Sequence, residues 1–254
     1  MSSPVALTRP VAVVSGGAGG IGAAICKGLA EAGFAVVVGY NRSADSAHAL
    51  CANLPGDGHI ALPVPVTDST ALARLALVVA ERFGRADVVV HCAGTTRFVP
   101  HADLDQLDDA LADAILATNV RGPFALTRAL LPLLRRSELP GGGVVVHISS
   151  IAAVTAMGSN VLYCASKAAL DNMTKSLARA LAPAVRVVSV SPGLVDTEFV
   201  KSLDARWRDE QAARTPLGRL AAPEEIARAV IAVVRDFSFS TGAIFAVDGG
   251  RPLA

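Results

Sequence analysis

The feature that most constrains this chain is an alternation, along its whole length, of short β-branched runs with longer segments rich in Ala and Leu. Most runs are apolar at successive positions, which is typical of strands buried on both faces of a parallel sheet. The sequence therefore predicts an α/β fold, a Rossmann-type doubly wound parallel sheet of about seven strands with helices on both faces. The predicted strands are Val11–Ser15, Ala35–Tyr40, Ile60–Pro65, Val88–Cys92, Val144–Ile148, Arg186–Ser191 and Ile244–Val247.

The segments between these strands predict helices. No linker, internal repeat or low-complexity tract interrupts the alternation, so residues 1–254 are expected to form a single domain. The predicted helices are Gly20–Ala32, Ser43–Leu54, Ser69–Phe83, Leu104–Asn119 continuing to about Arg136, Ser159–Leu181 and Pro223–Val234.

Composition excludes several classes of protein. Hydrophobic residues make up 52% of the 254 residues, which excludes a disordered chain, yet no run of about 18 uncharged apolar residues predicts a membrane span. The net charge of +1 provides no basic field for nucleic acid. The start of the chain lacks the plan of a signal peptide. The four cysteines form no CxxC pair, so we expect reduced thiols, no bound metal and a cytoplasmic location.

The first strand leads into a glycine-rich turn, Ser15-Gly16-Gly17-Ala18-Gly19-Gly20-Ile21-Gly22. Two glycine registers fit it: G-x-G-x-x-G through Gly17 and Gly19, and G-x-x-x-G-x-G through Gly16 and Gly20, both ending at Gly22. In either register, glycines let the backbone approach a pyrophosphate, and the following helix N-terminus offers free N–H groups to it. The position of the turn, between the first strand and the first helix, predicts dinucleotide binding.

The end of the second strand bears on which dinucleotide binds. An acid about 20 residues past the glycines would accept the ribose hydroxyls of NAD, but the chain reads Gly39-Tyr40-Asn41-Arg42-Ser43, with no acid before Asp45. Arg42 can form a bidentate pair with a 2′-phosphate, and Ser43 can add a hydrogen bond. The sequence favours NADP as cofactor, with NAD as the alternative.

A second set of residues carries reactive chemistry. Ser150 ends a buried strand, and Tyr163 and Lys167 follow four residues apart, on one face of a predicted helix. A free phenol is a poor acid–base group at neutral pH, and an ammonium close to it favours the ionised form. Such a phenol can exchange a proton with a carbonyl or alcohol oxygen. The spacing to Tyr163 favours Ser150 over Ser149 as the serine that holds this oxygen.

With these motifs and a Pro192-Gly193 turn after the sixth strand, the chain resembles the short-chain dehydrogenase/reductase family, of the kind that includes 3-oxoacyl-carrier-protein reductases. The resemblance covers essentially the whole chain. It implies an NAD(P)-dependent oxidoreductase that transfers a hydride between nicotinamide C4 and a carbonyl or secondary alcohol. It further implies a substrate lid at about residues 195–216.

The resemblance also implies roles for individual residues. Tyr163 would be the general acid/base, with Ser150 holding the substrate oxygen. Lys167 would favour the tyrosinate and bind the nicotinamide ribose, and Asn119 would join it in a proton relay through a water. The expected cofactor contacts are Gly16, Gly20, Ile21, Gly22, Asn41, Arg42, Ser43, Asp68, Ala93, Gly94, Tyr163, Lys167, Pro192, Gly193, Val195 and Thr197.

The chain departs from the family pattern in two places. His91-Cys92 replaces an Asn-Asn pair before Ala93-Gly94, and both His91 and His147 are interpreted as core or strand-end histidines. Gly19 stands where NADP-dependent relatives often carry a basic residue, which leaves Arg42 to hold the phosphate with less help.

Two further predictions concern the assembly of the protein and a competing function. The predicted helices Leu104–Arg136 and Ser159–Leu181 are more apolar than expected for a helix with one face exposed to solvent. Together with family resemblance, which adds the segment Ala243–Ala254, they predict a homotetramer, with a homodimer as the alternative. The competing function is a non-catalytic dinucleotide-sensing or scaffold protein on the same fold.

Overall fold

The fold is that of a computed structural model, which describes residues 9–253 apart from the side chain of Phe199. Residues 1–8, on which the signal-peptide interpretation partly rests, and Ala254, the end of a predicted interface segment, lie outside the described residues. Of the helices in the described part of the chain, none is long and apolar enough to cross a membrane.

Seven strands form one sheet in the order β3-β2-β1-β4-β5-β6-β7, and every neighbouring pair is parallel. This confirms the predicted Rossmann-type sheet, and the predicted strand ends are within two residues of the observed ones. The chain leaves β3 at one edge and returns to the middle at β4, so a crevice opens between β1 and β4 at the carboxyl ends of the strands. The strands are β1 (Val11–Ser15), β2 (Ala35–Tyr40), β3 (Ile60–Pro63), β4 (Val88–His91), β5 (Gly143–Ile148), β6 (Val185–Pro192) and β7 (Ile244–Val247).

Ten α-helices lie in the described part of the chain, and they cover both faces of the sheet. Alternate strand residues pack on opposite helical layers, with α1 and α10 on one face and α3, α5 and α7 on the other. The helices are α1 (Gly20–Glu31), α2 (Ala44–Asn53), α3 (Ser69–Phe83), α4 (Asp109–Leu116), α5 (Gly122–Leu134), α6 (Ala152–Thr155), α7 (Val161–Leu181), α8 (Glu198–Lys201), α9 (Ala205–Ala213) and α10 (Pro223–Arg235).

The prediction of a helix from Leu104 to about Arg136 was wrong for residues 104–108 and is confirmed from Asp109 to Leu134, where helical structure is continuous. The helix starts only at Asp109, because the Asp108 side chain accepts a hydrogen bond from the amide of Leu111 and caps it. A π-helical segment, Ala117–Arg121, then separates α4 from α5. Such segments are frequent at functional sites, and this one carries Asn119.

Three short helices, α6, α8 and α9, were not predicted. Four residues, as in α6 and α8, are too few to show a helical period. The nine residues of α9 are mostly polar or Ala, and none of its side chains is buried, so no apolar stripe marks it. α8 and α9 make up most of the segment 195–216 that the resemblance identified as a substrate lid.

Two buried charges hold the opposite, amino-terminal edge of the sheet. The carboxylate of Asp87, at 0% exposure, accepts hydrogen bonds from the amide of Val11, the guanidinium of Arg85 and the hydroxyl of Ser137. The buried guanidinium of Arg186 donates to carbonyl oxygens at the end of α10, including those of Val233 and Val234, where the helix dipole favours a cation.

Candidate active site

The turn between β1 and α1 is so tightly packed that a Cβ at any of three positions would lie 2.9 Å or less from another atom. Gly16 has φ +67°, and a Cβ there would lie 2.8 Å from the amide nitrogen of Ala93. A Cβ at Gly22 would overlap the carbonyl oxygen of Gly16, and one at Gly20 would press on the segment after β6. In the other register, a Cβ at Gly17 would be tight, with its nearest neighbour at 3.0 Å, but one at Gly19 would lie at an ordinary 3.6 Å. The geometry therefore favours the register Gly16, Gly20, Gly22.

The glycine turn forms a cradle at the carboxyl edge of the sheet. α1 begins at Gly20, directly after the turn, so its free N–H groups and the positive end of its dipole are available to an anion there. Ile21 lies in its first turn. A turn made mostly of glycines, next to a helix N-terminus, fits the pyrophosphate of a dinucleotide.

The segment after β2 presents Arg42 to solvent. Asn41, Arg42 and Ser43 are exposed, and among the described residues no acid pairs with Arg42. Ser43 is the N-cap residue of α2, but its side chain makes no capping hydrogen bond. The free guanidinium lies beyond the end of β2, the strand that neighbours β1 in the sheet.

Asp68 follows β3 and caps α3. Its Oδ1 atom accepts hydrogen bonds from the amides of Thr70, at 2.9 Å, and Ala71, at 3.1 Å. The carboxylate is exposed, and its Oδ2 atom has no hydrogen-bond partner within residues 9–253. One oxygen thus begins the helix while the other is available to a donor such as an adenine amino group.

Ser150, Tyr163 and Lys167 lie at the same edge of the sheet. Ser150 follows β5, and its Oγ accepts a hydrogen bond from the amide of Ala152 at 3.2 Å. Lys167 lies one turn after Tyr163 on α7; its Nζ is 5.7 Å from the Tyr163 ring centroid and donates to the carbonyl oxygen of Ile148 at 2.8 Å. Lys167 is buried, whereas Tyr163 and Ser150 are half-buried. The phenol and the hydroxyl are therefore accessible to a ligand, while the lysine lies below the surface.

The neighbouring Ser149 is buried at 4% exposure. Its Oγ has no hydrogen-bond partner in the described part of the chain. The accessible hydroxyl is therefore that of Ser150.

Asn119 ties the π-helical segment to the loop after β4 and to α7. Its Oδ1 accepts from the amide of Thr95 at 2.8 Å, and its Nδ2 donates to the Thr95 carbonyl at 3.0 Å and to Oγ of Ser166 at 3.1 Å. The Ser166 hydroxyl donates to the carbonyl of Tyr163 at 2.7 Å. The side chain thus acts as a brace, and a relay to Lys167 would have to use other atoms.

The remaining expected cofactor contacts lie on two loops beside the glycine turn. Ala93 and Gly94 follow β4, and the Ala93 amide donates to Oγ of Ser15 at 3.3 Å. Pro192 is the last residue of β6 and accepts from the amide of Ile151, and a Cβ at the following Gly193 would lie 2.9 Å from the carbonyl oxygen of Asp248.

Val195 and Thr197 connect this second loop to the rest of the site. Val195 bridges to Ala221, and the Thr197 hydroxyl caps α8 by accepting from the amide of Val200. The Cγ2 of Thr197 is the atom that a Cβ at Gly20 would meet at 2.9 Å, so the start of the predicted lid touches the glycine turn.

Two thiols lie beside these residues but are unsuited to nucleophilic catalysis. Burial raises the pKa of Cys92 to about 11, although the charge of Lys167 acts in the opposite direction. Burial also raises the pKa of Cys164. Since the thiolate is the reactive form, both cysteines are packing residues.

Comparison with known proteins identifies the family. The model of a family described as enoyl-(acyl carrier protein) reductase matches residues 16–251, and solved short-chain dehydrogenases/reductases share the fold over almost the whole chain. The chain belongs to the short-chain dehydrogenase/reductase family. Its seven-stranded parallel sheet is thus that of an oxidoreductase family.

Three similar proteins illustrate the range of this family. Cis-4-hydroxycyclohexanecarboxylate dehydrogenase of Sinomonas cyclohexanicum is 40% identical over 249 residues, covering 96% of this chain and 97% of that protein. A 3-oxoacyl-[acyl-carrier-protein] reductase of Thermotoga maritima is 32% identical, covering 96% and 98%. The crystal structure of a short-chain dehydrogenase/reductase from Brucella melitensis, of the glucose/ribitol dehydrogenase type, is 29% identical, with a TM-score of 0.88 and coverage of 98% and 99%.

His91, at one of this chain's departures from the family pattern, forms a buried pair with His147. The rings are 5.1 Å apart on neighbouring strands, and each bonds to a threonine: His91 to Thr127 at 2.8 Å and His147 to Thr174 at 2.7 Å. Burial lowers the pKa of His147 to about 3, with the charge of Lys167 acting in the same direction. Burial and the neighbouring His147 also lower the pKa of His91. Both are neutral core histidines, as predicted.

The histidine pair predicts a loss of stability in acid. Above pH 6.5 both imidazoles are neutral whether the chain is folded or unfolded. Below pH 6.5 only the unfolded chain takes up the protons, so the free energy of unfolding falls by up to about 1.4 kcal/mol per pH unit and histidine until the folded pKa is reached. For His147→Gln, we expect the loss between pH 7 and 5 in urea titrations to be about 2 kcal/mol smaller than in the wild type. An unchanged loss would contradict this account.

Sequence analysis missed two residues that position Tyr163. Asn160, at 1% exposure, caps α7 by accepting from the Tyr163 amide at 2.7 Å, and its Nδ2 donates to the Arg97 carbonyl at 2.8 Å. A Cβ at Gly158 would lie 3.1 Å from Cδ1 of Tyr163. An Asn just before an apolar helical pattern is an N-cap signal and could have revealed the first; the second depends on a tertiary contact.

A cavity of about 440 Å³ lies away from these residues, next to the last residues of the predicted lid. Its lining includes Leu194, Leu217 and Val247 but neither Ser150 nor Tyr163. The candidate active site is instead the open edge between the loops after β4, β5 and β6.

Proposed function

We propose that this protein is an NADP(H)-preferring oxidoreductase that interconverts a carbonyl compound and a secondary alcohol. The observation that carries the proposal is the meeting, at one edge of the sheet, of the glycine cradle with Ser150 and the Tyr163–Lys167 pair. General membership of an oxidoreductase family supports it, and the glycine cradle fits a dinucleotide. When bound, the nicotinamide supplies or accepts the hydride.

The residues of the chain divide the remaining work. Ser150 donates a hydrogen bond to the substrate oxygen and orients it. Tyr163 gives this oxygen a proton during reduction and takes one from it during oxidation. The ammonium of Lys167, 5.7 Å from the centre of the phenol ring, stabilises the charge left on the tyrosine oxygen. The hydrogen bond from the amide of Tyr163 to the side chain of Asn160, at the start of α7, holds the phenol in place.

The test of the function is turnover of carbonyl compounds. NADPH and NADH are first titrated by fluorescence, and a panel of ketones is then offered with the dinucleotide that binds more tightly. Dinucleotide oxidation that depends on the ketone supports the proposal. Tight dinucleotide binding without turnover of any carbonyl or alcohol would support the non-catalytic alternative instead.

The preference for NADP is tested at Arg42. An exposed, unpaired guanidinium forms charge-assisted hydrogen bonds to a phosphate that are worth about 1.5–3 kcal/mol. We therefore expect Arg42→Ala to weaken NADPH binding by roughly 10- to 100-fold. NADH, which lacks the 2′-phosphate, serves as the internal control and should bind with unchanged affinity. Equal effects on both dinucleotides, or tighter wild-type binding of NADH, would contradict the role of Arg42.

We further propose a homotetramer, with a homodimer as the alternative. Leu116 and Phe124 expose 42% and 44% of their surface on α4 and α5, and α7 exposes Ala165, Ala168 and Ala169. Large exposed apolar side chains next to a stripe of small ones suit helix packing between subunits. Sedimentation should give a mass near four times 25.9 kDa, and Phe124→Glu should produce smaller species. A monomeric wild type would refute this.

The location that we propose is the cytoplasm. All four cysteines are free thiols, as is typical of proteins in a reducing compartment.

A further inference from the structure

We infer that the substrate carries its carbonyl or alcohol group on a neutral, apolar body, selected by an apolar wall that consists of Phe98, Val154 and Met157. The inference rests on the oxidoreductase function proposed above and names the substrate class of the same site. It is carried by three features of the segments around Tyr163: the position of these side chains, their exposure, and the charges that surround them.

The apolar wall lies beside the reacting groups. Val154 is one helical turn after Ser150, on α6. Met157 directly precedes Gly158, whose backbone lies against the Tyr163 ring.

Phe98 joins these two through the loop after β4. The amide of the next residue, Val99, donates to the carbonyl of Ser159 at 2.8 Å, and Asn160 donates to the carbonyl of the preceding residue, Arg97. The loops that carry the three side chains are thus already fastened together.

The three side chains are unusually open to solvent for their type. Phe98, Val154 and Met157 are 72%, 74% and 54% exposed. Contiguous exposed apolar surface on a folded protein commonly marks a binding site. Between Val154 and Met157, Ala156 adopts φ +55°, a strained conformation for a residue with a Cβ and one that is concentrated at functional sites. The hydrogen bonds of Val99 and Asn160 hold the two segments that carry these side chains to each other.

Charge around the wall disfavours an anionic substrate. From Ser150 to Ser166 the chain contains no charged residue, and the loop Ala93–Pro100 contains only Arg97. Arg97 is already engaged, because its guanidinium donates to the carbonyl of Gln106 and lies 3.6 Å from the carboxylate of Asp108. His101, just beyond the loop, bonds to the carbonyl of Gly158.

The next segment adds negative charge. Five aspartates lie between positions 103 and 113, and four of them are exposed. A carboxylate, a phosphate or a thioester on a phosphorylated arm would find no free cation in the segments that form the wall, and the neighbouring segment adds five negative charges. A neutral body avoids this repulsion and gains from the burial of apolar surface.

A matched pair of ketones tests the inference. Methyl 4-oxocyclohexanecarboxylate and 4-oxocyclohexanecarboxylate share the ring and the ketone and differ in charge at pH 7. With the preferred dinucleotide, we expect kcat/KM to be at least about tenfold higher for the ester. In a series of 4-alkylcyclohexanones, kcat/KM should rise by up to about fourfold for each added methylene.

Variants of exposed residues connect the preference to the wall. Met157→Lys should reduce the ester-to-carboxylate ratio by at least about tenfold. Leu77→Lys, which replaces a 63% exposed side chain on α3, should leave the ratio unchanged. A wild type that turns over the carboxylate as well as the ester overturns the inference and leaves the proposed function intact, as does an equal response of the two variants. The absence of turnover with every ketone and both dinucleotides would overturn both.

Discussion

Tyr163→Phe is expected to reduce kcat by roughly 10²- to 10⁴-fold, the usual contribution of a general acid/base. The substitution removes one oxygen atom and keeps the ring that lies against Gly158 and Lys167. Dinucleotide affinity and the unfolding midpoint should therefore stay close to those of the wild type. Steady-state kinetics, dinucleotide titration and thermal unfolding of the same preparation measure the three quantities.

The chain offers a matched control for this variant. It contains two tyrosines, and Tyr40→Phe makes the same chemical change at the end of β2, where the ring packs 5.9 Å from that of His48. The control should keep wild-type turnover. Similar kcat values for Tyr163→Phe and the wild type would remove Tyr163 from the mechanism.

Gly22→Ala is expected to weaken dinucleotide binding by roughly 100-fold or more. The new methyl group would overlap the carbonyl oxygen of Gly16, so the turn would have to move, and strain of about 3 kcal/mol corresponds to about this loss. Because the clash is with backbone, no side chain can rotate away to relieve it. Fluorescence titration with NADPH and NADH measures the loss, which should be similar for the two.

Gly19→Ala is the control within the same turn. Gly19 has φ −91°, and its added Cβ would lie at an ordinary contact distance of 3.6 Å from the Gly16 carbonyl oxygen. It should retain dinucleotide affinity. If both variants bound as well as the wild type, the turn would not be the dinucleotide cradle; if both lost affinity alike, the choice of the Gly16, Gly20, Gly22 register would be wrong.

The sheet was predictable because its signal is local and repeated. A strand buried on both faces must be apolar at successive positions, and most of the seven predicted runs are. The reactive residues were predictable for a related reason: Tyr163 and Lys167 are four residues apart, so helix geometry alone places them on one face. Ser150 was separated from Ser149 by spacing, and burial of Ser149 gives the same choice independently.

The late start of the helix predicted over residues 104–136, and its π-helical segment, were not predictable from periodicity. The apolar pattern continues through these residues, whereas the helix starts after the cap residue Asp108 and passes through a π-helical segment at Ala117–Arg121. The side chain of Asn119 forms a hydrogen bond with Thr95, 24 positions earlier in the chain. No residue near Asn119 in the sequence predicts that hydrogen bond. The same holds for Asn160, whose cap is local but whose bonds to Thr96 and Arg97 join two distant loops.

The sequence by itself determined the class of fold, the glycine turn and the candidate Ser, Tyr and Lys, because each depends on periodicity or spacing over a few residues. Only the tertiary structure decided which glycines lack room for a side chain, since the atoms that fill this room belong to the loop after β4 at Gly16, to the loop after β6 at Gly20 and to the folded turn itself at Gly22. It also decided that the loop carrying Phe98 is fastened to the segment that carries Met157 and leads into Tyr163. Such contacts depend on where distant segments of the chain come to lie, and local pattern carries no record of that.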